Sequence, residues 1–80
     1  MKIPVIKDLV ENQTLEALVA AEEAIIEEQM PEIEVKGEDD GEQLTHVMAA
    51  IWILNHMQDH STDFKTALRE YTKKVRVSIS

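Results

Sequence analysis

The chain places apolar side chains at Ile3, Ile6, Leu9 and Val10, then at Leu15, Leu18, Val19, Ile25, Ile26 and Met30, and later at Phe64, Ala67, Leu68, Tyr71 and Val75. Steps of three and four residues put such positions on one side of a helix, so the pattern predicts helices over about 4–11, 15–29 and 63–76. Pro4 suits a first helical turn, where its missing N–H removes a donor that had no partner anyway. Thr14 is placed to cap the second helix with its hydroxyl. Pro31 is expected to end that helix, because the residue before a proline is pushed out of the helical region. Within Ser61–Asp63 lies the cap expected for the last one.

The most hydrophobic stretch lies between these segments. It is Leu44–Leu54, with the unbroken apolar run Val47–Leu54 and the chain's one Trp, Trp52. A helix over about 41–58 is predicted, led in by Asp39 and Glu42, which form a D-x-x-E capping pair. A helix apolar on nearly every side reads as buried. The expected fold is therefore mainly all-α, a small bundle of about four helices around a central apolar helix. Ile33 and Val35 alternate with Glu32, Glu34 and Lys36, which is the period of a short strand. The tail Val75–Ile79 alternates in the same way. One short strand pair, between 33–36 and 75–79 or between two copies of 33–36, is the alternative to a last helix that runs through Val75.

Two Gly, two Pro and no low-complexity run leave room for one domain, residues 1–80, without a linker or a repeat. A chain of this size buries about 60–65% of its unfolded surface and is marginal without help. The absence of Cys excludes disulfides, thiolate zinc sites and cysteine nucleophiles. Self-association is then the expected source of further stability. Three short neighbouring segments could hardly enclose the central helix, so Val47, Ile51, Trp52 and Ile53 form the expected surface of a homodimer.

Charge sharpens this picture. The formal net charge is -8, and it is uneven. Thirteen acids between Asp8 and Glu42 stand against Lys36, whereas five bases between Asp63 and Ser80 stand against Asp63 and Glu70. Such a balance argues against sequence-independent binding to nucleic acid, where neutralisation of phosphates dominates. It predicts attraction between the two ends, within one chain or between protomers. The acidic flank, Glu22–Glu28 with Glu38–Glu42, is the face expected to meet a basic partner protein. Lys65, Arg69 and Lys73 recur along the far side of the last helix with no aromatic residue interleaved for base stacking. No secretory leader is evident, and the longest apolar run is less than half of the roughly 18 residues a membrane span needs. The expectation is a cytoplasmic protein with no membrane partner.

A few polar residues sit where chemistry could occur. Glu22 interrupts the apolar stripe of the second helix, where an ionised carboxylate is costly unless paired. It is either a rim position, salt-bridged to Arg69 or a lysine, or a metal ligand or proton-transfer acid. Glu42 and His46, four residues apart, share one side of the central helix and could form half of a metal or acid–base site. A di-iron site needs Glu-x-x-His at a spacing of three on two helices, which is absent. His56 and His60 have the spacing that clamps a divalent metal, with Asp59 as a third ligand, but the Glu of H-E-x-x-H is missing. The acidic turn Glu38–Glu42 lacks the ligand positions of a calcium loop. No Gly-rich phosphate loop and no Ser-His-Asp signature occurs. No cofactor and no catalytic residue are expected.

Three pieces of the chain, MKIPVIKDLVEN, GEDDGEQLTHVMAAIWIL and FKTALREYTKKVR, resemble a family of short, acidic bacterial proteins of unknown function. The resemblance covers essentially the whole chain. It implies a compact, mostly helical domain and supplies no activity, ligand or catalytic residue. The expected function is that of a self-associating interaction or regulatory module without catalytic activity. The alternative is a metal- or small-ligand-binding protein that uses a carboxylate–histidine site at Glu22, Glu42 and His46.

Overall fold

The apolar stripes fold as four helices: α1 over Ile3–Asn12, α2 over Leu15–Ile26, α3 over Asp40–His60 and α4 over Phe64–Ile79. They are seen in a computed structural model that describes residues 2–79, with side chains described over 2–76. Caps fix most of the helix starts. Thr14 Oγ1 accepts the Ala17 N–H at 3.1 Å ahead of α2, and Asp39 Oδ1 accepts the Glu42 N–H at 2.8 Å ahead of α3. Asp63 Oδ1 accepts the Thr66 N–H at 2.9 Å ahead of α4. Each satisfies a backbone donor that the first turn leaves without a helical partner.

The end of α2 differs from expectation. The helix stops at Ile26, well short of Pro31. Glu28 adopts a left-handed φ of 60°, its N–H donates to Ile25 O at 3.0 Å, and the Gln29 N–H donates to Ala24 O at 2.7 Å. This closing turn is most often made by glycine. It has turned the chain before Pro31 is reached.

The strand pair is also corrected. Among the described residues there is no strand: 33–36 is irregular, and 75–79 continues α4. The alternation has another cause. Val35 is buried and Ile33 half-buried, while Glu32, Glu34 and Lys36 face solvent. An extended segment laid across a core buries every second residue whether or not its backbone is paired.

α3 packs against each of the other three helices. At 21 residues it is about 31 Å long by helical rise, matching the largest principal extent of 31 Å. Its inner positions Val47, Ala49, Ala50 and Ile53 are fully buried against Ile6, Leu9 and Val10 of α1, Leu18, Ala21 and Ile25 of α2, Val35, and Ala67 of α4. Phe64, Leu68 and Tyr71 close the α4 side as half-buried neighbours of this core. Of the run Val47–Leu54, Met48 alone is exposed. The radius of gyration, 12.1 Å, is close to the roughly 11.6 Å of a compact chain of this length.

Candidate functional site

His46 is the buried polar residue of the core, with no exposed surface. Its Nδ1 lies 2.7 Å from Lys36 O, and its Nε2 accepts the Lys2 N–H at 2.9 Å. A carbonyl can only accept and an amide N–H can only donate. The ring is therefore the neutral tautomer with its proton on Nδ1. Both nitrogens serve backbone groups, so His46 ties the chain's start and the α2–α3 loop to α3.

Glu42 lies one helical turn before His46. Its Oε1 accepts the Glu38 N–H at 3.0 Å, one residue earlier than a reciprocal capping box would place it. Lys2 Nζ lies 3.8 Å from the Glu42 and Glu38 carboxylates. The hydrogen bond from Glu38 and the Lys2 charge hold the Glu42 carboxyl below its ordinary value. These contacts make Glu42 a cap and a tether for the chain's start.

Glu22 is half-buried and, among the described residues, forms no ion pair. Successive residues of a helix are about 100° apart, so the adjacent pairs Leu18-Val19 and Ile25-Ile26 cannot share one stripe. α2 carries two. Leu18, Ala21 and Ile25 point into the core, whereas Val19 and Ile26 stay 37% and 61% exposed with half-buried Leu15 in line with them. Glu22 falls on the seam between the stripes. Glu16, Glu23 and Glu27 border the outer one on its other side and are exposed. Leu15, Glu16, Val19, Ala20 and Glu23 line a shallow open groove there. Sequence reading missed this outer stripe by counting all of α2's apolar residues as one face; the adjacent apolar pairs were the available signal.

At the far end of α3, Trp52 stacks on His56 with ring centroids 4.9 Å apart and planes 13° from parallel. His56 and His60 lie 4.3 Å apart. Tyr71 of α4 leans on Trp52 at 5.6 Å, and its burial pushes the phenol pKa up. Asp59 and His60 are exposed beside this ladder. Among the described residues, no group of three or more His, Cys, Asp or Glu could hold a metal ion. Neither Glu22, Glu42 and His46 nor His56, Asp59 and His60 come together as such a group.

Of the four residues expected at a dimer surface, Val47 and Ile53 are enclosed by the chain's own helices, while Ile51 and Trp52 are half-buried. Among the described residues, no helix is long and apolar enough to cross a membrane.

A small all-α domain of four helices, with its one buried histidine spent on backbone groups, is the class these features define. The chain belongs to a family of unknown function (DUF6952), whose model matches residues 1–80. No curated protein and no solved structure matches it.

Proposed function

We propose that this chain is a protein-interaction module without a catalytic role, and that its contact face is the outer side of α2. The observation that carries this reading is the exposed stripe of Val19 and Ile26, beside Leu15, set between carboxylates that no cation of the described chain neutralises. Apolar side chains left in water beside a row of like charges gain from a partner that covers the first and balances the second. His46 in the core and Glu42 at the start of α3 hold the fold together instead.

The test compares two pairs of exposed apolar side chains. Val19→Ser with Ile26→Ser should leave thermal stability within about 1 kcal/mol, as surface changes do, and weaken association at least tenfold in analytical ultracentrifugation. Ile3→Ser with Met48→Ser, at comparable exposures of 46% and 49%, should leave association unchanged. Equal effects from both pairs would rule out the α2 face as the contact.

A further inference from the structure

We infer that the partner seated on α2 is α4 of a second copy of this chain, held antiparallel in one particular register. The inference rests on the docking reading above and adds the occupant. Its basis is a match of charge spacing between two faces of the same chain that do not satisfy each other within it.

On α2, Glu16, Glu23 and Glu27 lie along the outer border of the exposed stripe. On α4, Lys65, Arg69 and Arg76 lie along one exposed ridge, turned away from the buried side of Phe64, Ala67 and Tyr71. Read forwards from Lys65, the cations stand at steps of four and seven residues. Read backwards from Glu27, the carboxylates stand at the same steps. Both sets span eleven residues, about 16 Å along a helix. Antiparallel alignment therefore brings Lys65 to Glu27, Arg69 to Glu23 and Arg76 to Glu16 in a single register. A parallel alignment matches the end pairs and leaves the middle one out of step.

In the same register the Val19 side of α2 faces the Thr72 and Val75 side of α4. Val75 is 37% exposed, so beside the charge pairs the contact sets apolar surface against apolar surface. Pairing α2 with α2 would instead set carboxylates against carboxylates. Among the described residues, none of these six side chains forms an ion pair within the chain, so no existing contact must be broken. The net charge of -8 repels two copies at long range. At physiological ionic strength that repulsion is screened beyond about 8 Å, whereas contacts at ion-pair distance survive. If the pair closes with two-fold symmetry, each register occurs twice.

The register can be tested by exchanging one charge pair at its centre. Glu23→Arg alone and Arg69→Glu alone should each weaken self-association at least tenfold in sedimentation velocity at 0.15 M salt, with helical content unchanged by circular dichroism. The two single variants, mixed, should form a 1:1 complex that neither forms alone. In that complex the new cation at position 23 meets the new carboxylate at position 69, and the unaltered Glu23 of one chain meets the unaltered Arg69 of the other. The chain carrying both exchanges should associate within about threefold of the wild type. Association that falls with Val19→Ser and Ile26→Ser but ignores both charge exchanges would overturn the α4 register and leave the α2 docking face standing. A wild-type chain that stays monomeric at hundreds of micromolar overturns self-docking. In that case, titration with a synthetic amphipathic Leu/Lys helix separates the remaining readings: amide shifts confined to α2 identify a foreign basic partner, and their absence removes the docking face as well.

Discussion

His46 and Lys2 are joined by a hydrogen bond of 2.9 Å across 44 residues of sequence, from the Lys2 N–H to Nε2. The opposite nitrogen holds Lys36 O, so one ring fastens two backbone segments that share no regular structure. A buried donor or acceptor left without a partner costs roughly 1–3 kcal/mol. His46→Ala orphans both and leaves a cavity, and should lower stability by about 3 kcal/mol in urea unfolding at neutral pH. His46→Asn, which keeps a donor near Nδ1 but no acceptor at Nε2, should fall between Ala and wild type. Long-range nitrogen–proton NMR correlations should show the Nδ1–H tautomer; an Nε2–H pattern would refute the clasp.

Gly37 and Gly41 flank the α3 cap and should respond to alanine with opposite signs. A Cβ on Gly37 would stand 2.8 Å from Gln43 Cγ and 2.9 Å from the Gln43 backbone N. The side chain can swing aside, but the backbone cannot, so Gly37→Ala should cost about 1–3 kcal/mol. At Gly41 the nearest atom is Asp39 Oδ1 at 3.4 Å, an ordinary contact. Gly41 lies inside α3, where alanine is favoured by up to about 1 kcal/mol. Thermal melts of the two variants on opposite sides of the wild type would bear this out.

Glu28 occupies a left-handed position that suits glycine. Glu28→Gly should stabilise the chain by about 0.5–1 kcal/mol, or several degrees in Tm for a domain of this size. Glu28→Ala, which removes the same charge without freeing the backbone, separates the two causes. A gain from alanine equal to that from glycine would assign the effect to charge relief.

Glu42 gives the pH dependence its sign. Its folded pKa lies below the ordinary 4.5, chiefly through the Glu38 N–H. As pH falls, the unfolded chain takes up the proton first, so this stabilisation is fully present above about 4.5 and is lost as pH falls through the lower folded value. Glu42→Gln should therefore be less stable than wild type at pH 7, with the gap closing toward pH 3. A gap of the same size at both pH values would contradict the assignment.

What could be read in the sequence was whatever the side chains themselves announce. Thr14 and Asp39 signal helix starts by their own chemistry and cap where expected, and within the stretch Ser61–Asp63 it is Asp63 that caps the last helix. The end of α2 carries no such signal, because Glu28 in a left-handed turn resembles any helical glutamate. Ile33 and Val35 showed which residues face the core but not whether a neighbour pairs with their backbone. His46 stood out as a candidate for chemistry. Its role is set by the backbone of Lys2 and Lys36, and backbone groups leave no trace in residue identity. The outer stripe of α2 was visible in the pairs Leu18-Val19 and Ile25-Ile26, once two neighbours are not asked to share a face.

Because α1 and α2 both rest on α3, the order of synthesis runs against the order of support. Ile6, Leu9, Leu18 and Ile25 leave the ribosome before the helix that shelters them has been made. At about 5–20 residues per second the interval is a few seconds. During it the nascent half is a chain with thirteen acids between Asp8 and Glu42, and like charges beside apolar segments keep such chains from sticking to one another. The carboxylates that border the finished α2 thus surround its apolar positions with like charge before α3 exists to cover them.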